Sequence, residues 1–118
     1  NATATTAQLE LKNNIVVNGV FFAFLDGEKC VVLAHFYEEI AKALNFPDYF
    51  HPNFDSLDEC LNDLSWIKEK EIQLLIFNFS DLLFEEPHHL EVVNSILANA
   101  IGELEDKGVN FSVSTQAL

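Results

Sequence analysis

At 118 residues the chain is long enough for one compact core and too short for two ordinary domains, so residues 1–118 are expected to form a single domain. Hydrophobic residues make up 49%, and eleven Phe with one Trp point to a bulky packed interior rather than a disordered chain. Nineteen acidic against six basic residues give a net charge of −13, which repels nucleic-acid phosphates and anionic membranes and attracts a cationic protein, although acidity for solubility alone is the plainer reading.

Asn1-Ala2, with no initiating Met, reads as a cloning remnant, and residues 3–8 are small, polar and expected to fray. Residues 9–19 form an N-terminal extension. From Ile15 to Leu25 the chain is β-branched and aromatic, and Asn18-Gly19 in its middle is either a hairpin turn or a bend in a longer strand. Asp26-Gly27 closes this segment as a turn. A first helix is predicted around His35 to Leu44, with Phe36, Ile40 and Leu44 as its inner stripe, ending before Phe46-Pro47 because proline disfavours helix in the residue before it. After the loop Asp48 to Pro52, a second helix runs from Phe54 to about Leu64, with Asn53 placed to cap it.

Beyond Trp66 and the charged run Lys68 to Glu71, Ile72 to Phe79 is a nearly continuous apolar strand of the kind buried on both faces. Ser80-Asp81 opens a short helical turn ending near Glu86. Pro87 suits the first position of a longer helix, His88 to about Lys107, which Gly108 terminates. Leu90, Val93, Leu97, Ala100, Ile101 and Leu104 share one face of it, and Val109, Phe111 and Val113 alternate as a last strand. The order β-α-α-β-α-α-β predicts an α/β fold with helical crossovers between parallel strands.

The second helix carries the functional argument. Asp55, Asp58, Glu59 and Asn62 fall at i, i+3, i+4 and i+7 on one face, and Phe54, Leu57, Leu61 and Leu64 on the other. A solvated acidic face is the bland explanation. Tyr49, Phe50 and His51 in the preceding loop set aromatic groups beside that face, as binding surfaces do.

The stretch from Phe46 to Leu61 resembles the signature of the barstar family, inhibitors of guanyl-specific ribonucleases. Pro47, Tyr49, Asn53, Asp55, Leu57, Cys60 and Leu61 match it, with conservative changes at Phe46, Asp48, Phe50, Phe54 and Glu59. The resemblance covers about residues 20–116. It implies a three-stranded parallel sheet packed against helices, with an extra N-terminal strand as an open alternative. It further implies that the loop and second helix enter a nuclease cleft, where Glu59 takes the place of the substrate phosphate. Asp55 matches a second contact, Tyr49, Phe50 and Asn53 the loop contacts, and Glu103 a peripheral acidic one. With His51, Asp58 and Asn62 from the same surface, these form the expected partner-binding set. Asp58 stands where the family has a contact Trp, His51-Pro52 replaces a Gly-containing pair, and two residues are inserted before Trp66, which implies a different cognate nuclease and an interface richer in charge.

The expected function is inhibition of a cationic nuclease toxin in a 1:1 complex by a monomeric cytoplasmic protein, as immunity protein or as antidote to the cell's own ribonuclease. No catalysis, cofactor, metal or nucleic-acid contact is expected. The alternative partner is some other cationic protein. Glu86, His88, His89 and Glu91 are the one candidate metal cluster, but adjacent histidines project about 100° apart on a helix, which favours a solvated helix start. Cys30 and Cys60 make neither a disulfide framework nor a metal spacing, and Cys60 reads as a small buried hydrophobe.

Overall fold

The computed structural model describes residues 13–116, so the readings for residues 1–12 fall outside the described residues. A four-stranded sheet has the order β1-β2-β3-β4. β1 (Asn14–Val17) pairs antiparallel with β2 (Val20–Asp26), while β3 (Glu71–Phe77) and β4 (Asn110–Thr115) add parallel to β2. Asn18-Gly19 is therefore a hairpin: φ is 51° at Asn18 and 81° at Gly19, the positive pair that a two-residue type I′ turn requires and that Asn and Gly tolerate best. The extra N-terminal strand left open by the sequence is β1.

Among the described residues three α-helices accompany the sheet: α1 (Leu33–Ala43), α2 (Phe54–Asp63) and α3 (Leu90–Asp106). The parallel strands bury alternate residues in register, Phe21 beside Ile72 and Phe111, and Leu25 beside Ile76. α1 packs on β2 and α3 on β4. The expectation that β3 is buried on both faces is thereby corrected. Gln73, Leu75 and Phe77 are only half-buried, because the described helices cover one face. Apolar content in β3 does not encode two-sided burial; on the open face Phe77 stacks on Phe24 instead, centroids 6.1 Å apart.

The short helical turn expected from Ser80 to Glu86 is a 3-10 turn over Phe79–Asp81, and a second one over Pro87–His89 precedes α3. Helix cannot extend between them, because the backbone of this loop is engaged elsewhere. Leu83 N–H donates to the Cys30 carbonyl (2.8 Å) and Glu85 N–H to that of Val31 (3.0 Å). Leu83 sits at φ 54° with its side chain fully buried. Glu86 Oε1 accepts from Leu33 N–H at 2.7 Å, capping α1 where the local residue Val32 has no side-chain acceptor.

The other end of α1 is held from β1. Asn14 Nδ2 donates to the Ala43 carbonyl (3.0 Å) and to Asn45 Oδ1 (3.0 Å). Where β2 and β3 end, Asp26 Oδ1 accepts from Asn78 Nδ2 (2.8 Å) and Glu28 N–H (3.0 Å). Gly27 passes so close to that junction that a Cβ there would lie 2.0 Å from the Asn78 carbonyl oxygen.

Candidate protein-binding site

α2 begins as the sequence predicts, with Asn53 Oδ1 accepting from Ser56 N–H at 2.7 Å. It ends at Leu64, held left-handed at φ 46° with its side chain buried. That conformation costs an L-residue about 1–2 kcal/mol, which burial of a Leu side chain, roughly 1.5–3 kcal/mol, offsets. Leu57, Cys60 and Leu61 form the buried side of the helix, and Phe54 is half-buried at its edge.

Two contacts fix how α2 lies on α3. At its start the Phe54 ring meets His89 edge-on, centroids 5.7 Å apart. At its end the Asn62 carbonyl accepts from Lys107 Nζ at 2.8 Å, a cation where the helix dipole favours one. The two helices therefore run in the same sense, and one flank of α2 is turned toward α3. Asp58 and Asn62 lie on that flank and are half-buried, and Asn62 Oδ1 is enclosed with no hydrogen-bond partner. Asp55 and Glu59 are exposed on the outward face. Glu103 is exposed on α3, one turn before Lys107.

The loop before α2 rests on a chain of rings. Trp66 meets Phe46 (6.0 Å), Phe46 meets Phe50 (4.9 Å), Phe50 meets Tyr37 (6.1 Å) and Tyr37 meets Phe54 (6.2 Å). Trp66 Nε1 also donates to the Leu44 carbonyl at 2.8 Å. Above this base the Phe50 N–H closes a turn on the Pro47 carbonyl (3.0 Å), and the His51 N–H donates to Ser56 Oγ (2.9 Å). Phe50 is thus half-buried as part of the foundation, His51 and Asn53 are exposed, and Tyr49 is lifted outward with 54% of its surface exposed.

Electrostatics ties Tyr49 to the helix. Partial desolvation, and then the neighbouring Cys60, Asp63 and Glu59, hold its phenol above the ordinary value of 10.0. Asp63 was absent from the sequence-based set, although it continues the i+4 series from Asp55 through Glu59. The supporting rings Tyr37, Phe46 and Trp66 were also missed, since contacts between residues so far apart in sequence leave no local pattern.

Neither cysteine is activated as a nucleophile. Burial, then Glu59 and Asp63, raise the Cys60 thiol above its ordinary 9.0, the wrong direction for a thiolate nucleophile. Burial, then Glu39 and Asp26, push Cys30 up to about 12. Among the described residues no three His, Cys, Asp or Glu side chains are placed to hold a metal ion. The Glu86 carboxylate is engaged at α1, and His88 and His89 stack with centroids 4.0 Å apart. No described helix is long and apolar enough to cross a membrane.

A search among curated proteins gives no match. The family model described as barstar (barnase inhibitor) matches residues 20–116, taking in the parallel strands, all three helices and the loop that carries Tyr49. On that match, over most of its length, the chain belongs to the barstar family.

Proposed function

We propose that this chain inhibits a cationic toxic ribonuclease by occupying its active site, as the immunity protein or antitoxin of a bacterial toxin pair. Membership in a family of ribonuclease inhibitors supports the general role. The observation that carries the finer reading is the placing of two exposed carboxylates, Asp55 and Glu59, on one helix beside an outward-facing Tyr49, all on a base of packed rings.

A ribonuclease must present cations to a phosphate, and carboxylates entering that cleft meet the same cations. Because α2 is capped and packed before it binds, little conformational entropy remains to be lost on association, which favours affinity. Asp55 and Glu59 are the inserted charges, Tyr49, His51 and Asn53 the loop contacts, and Asp58, Asn62 and Glu103 the contacts along the α3 side. The net charge of −13 accelerates encounter with a basic enzyme and makes that acceleration salt-dependent. Binding is one to one, and the chain acts in the cytoplasm, where the target would otherwise cleave cellular RNA.

The test is RNA cleavage by a barnase-type guanyl-specific ribonuclease titrated with the chain. Cleavage should stop near one equivalent of wild-type protein and persist with the Asp55→Ala/Glu59→Ala variant. Inhibition equal in both would remove α2 from the mechanism. Binding to a basic protein without loss of cleavage would favour a non-inhibitory partner.

A further inference from the structure

Beside the loop, but on α1 rather than α2, lies a cleft of about 360 Å³ lined by Ala34, Tyr37, Glu38, Ala41, Phe50 and Pro52. Five of the six are apolar or aromatic, and the sixth, Glu38, is an exposed acidic residue that lines the cleft with its stem, leaving its carboxylate to solvent within reach of the rim. Building on the inhibitor reading above, we infer that this cleft receives an arginine side chain of the bound nuclease, extending the interface from α2 and its loop onto α1.

The cleft is continuous with the proposed site. Phe50 and Pro52 belong to the loop that presents Tyr49 and His51, and Tyr37 touches both Phe50 and the first residue of α2. Its wall is also rigid. Tyr37 is 5% exposed and locked between three rings, so the cleft exists before any partner arrives.

The choice of occupant follows from charge and shape. A partner drawn to a protein of net charge −13 is basic, and the lining asks for a side chain that is apolar along its length and cationic at its tip. Arginine meets both demands. Its stem can lie along Ala34 and Ala41, its weakly hydrated plane against the accessible part of the half-buried Phe50 ring, and its donors at Glu38. Glu38 has no ion-pair partner among the described residues, whereas its neighbour Glu39 is bound to Lys42 at 2.8 Å. A wholly apolar occupant would leave the Glu38 carboxylate stranded at a drying surface, and a lysine ammonium holds its water more tightly. Pro52, which completes the wall, falls where His51-Pro52 departs from the family pattern. The cleft is thus a feature by which this chain could select its own nuclease.

Two experiments test the inference separately from the inhibitor reading. In the first, backbone amide NMR of the whole chain is titrated with N-acetyl-arginine methylamide. Saturable shifts should centre on Ala34, Tyr37, Glu38, Ala41 and Phe50, weaken in Glu38→Gln, disappear in Ala41→Trp and be absent with the uncharged citrulline analogue. In the second, affinity for the inhibited ribonuclease should fall about tenfold in Ala41→Trp and about threefold in Glu38→Gln. Ala34 is exposed and Ala41, though half-buried, has its remaining surface on the cleft, so bulk there fills the cleft and not the core, and unchanged circular dichroism confirms it. Full affinity in Ala41→Trp, alongside lost affinity in Asp55→Ala/Glu59→Ala, overturns the cleft and leaves the inhibitor reading standing. If wild-type chain inhibits no ribonuclease, the inhibitor reading fails, and shifts confined to other residues or equal with citrulline overturn the cleft on their own.

Discussion

Replacing Glu59 with alanine should raise the stability of the free chain while weakening its complex. Glu59 is exposed and stands one helical turn from Asp55 and one from Asp63. Each like-charge contact at that spacing is unfavourable by about 0.2–0.5 kcal/mol, and alanine is the stronger helix former by a few tenths. The two effects together predict a gain of roughly 0.6–1.4 kcal/mol, or about 2–8 °C in Tm for a domain of this size. In the proposed complex the same carboxylate enters a dry cleft, where truncating one member of a close charge pair costs about 2–5 kcal/mol. That corresponds to a roughly 30- to 5,000-fold rise in Kd. Thermal unfolding followed by circular dichroism at low salt measures the first quantity, and titration calorimetry against the ribonuclease the second. At about 1 M salt, where the screening length is about 3 Å, most of the electrostatic part of the stability gain should vanish. A destabilised variant would show that Glu59 already makes a favourable contact in the free chain. Unchanged affinity would mean that α2 is not the inserted element.

Gly27→Ala should lower stability by about 2–4 kcal/mol, because the new Cβ collides with the Asn78 backbone at 2.0 Å; Gly102→Ala, in open space on α3, should raise it by about 0.5–1 kcal/mol in the same denaturant titration. Stability should fall as pH rises above 9, since the Cys30 thiol ionises there in the unfolded chain and only near 12 in the folded one. The slope attributable to it is up to about 1.4 kcal/mol per pH unit, and the difference between wild type and Cys30→Ala isolates it from other groups titrating in that range. Asn14→Ala should cost about 1–2 kcal/mol by freeing the last carbonyls of α1, and amide exchange should quicken over residues 40–45 before the rest of the domain responds.

Element type was legible wherever the signal was local. Periodicity located α1 and α3, Asn53 announced the start of α2, and Gly108 the stop after α3 at φ 81°. The carboxylates of α2 were legible too, but their division was not. The wheel placed Asp55, Asp58, Glu59 and Asn62 together, whereas packing on α3 separates an exposed pair from a half-buried pair. A wheel describes one helix, and the neighbour that covers its flank is encoded elsewhere. The same reasoning applies to Glu86, whose carboxylate serves Leu33 from 53 residues away and which the sequence offered as a metal ligand. Phe50 is drawn half into the ring cluster while its neighbour Tyr49 stands exposed, a difference the sequence does not show because loop aromatics carry no mark of which way the turn will point them.

The N-terminal hairpin has a bearing on solubility. Without β1, strand β2 with its sequence Val-Phe-Phe-Ala-Phe-Leu-Asp would become an unpaired border seven residues long. It is aromatic, rich in β-formers and free of charge until its last residue, the type of border onto which further chains add. β1 replaces it with a strand of four residues ending in a tight turn. Removing residues 1–19 should therefore bare that border, and the effect should show as aggregation, not loss of fold.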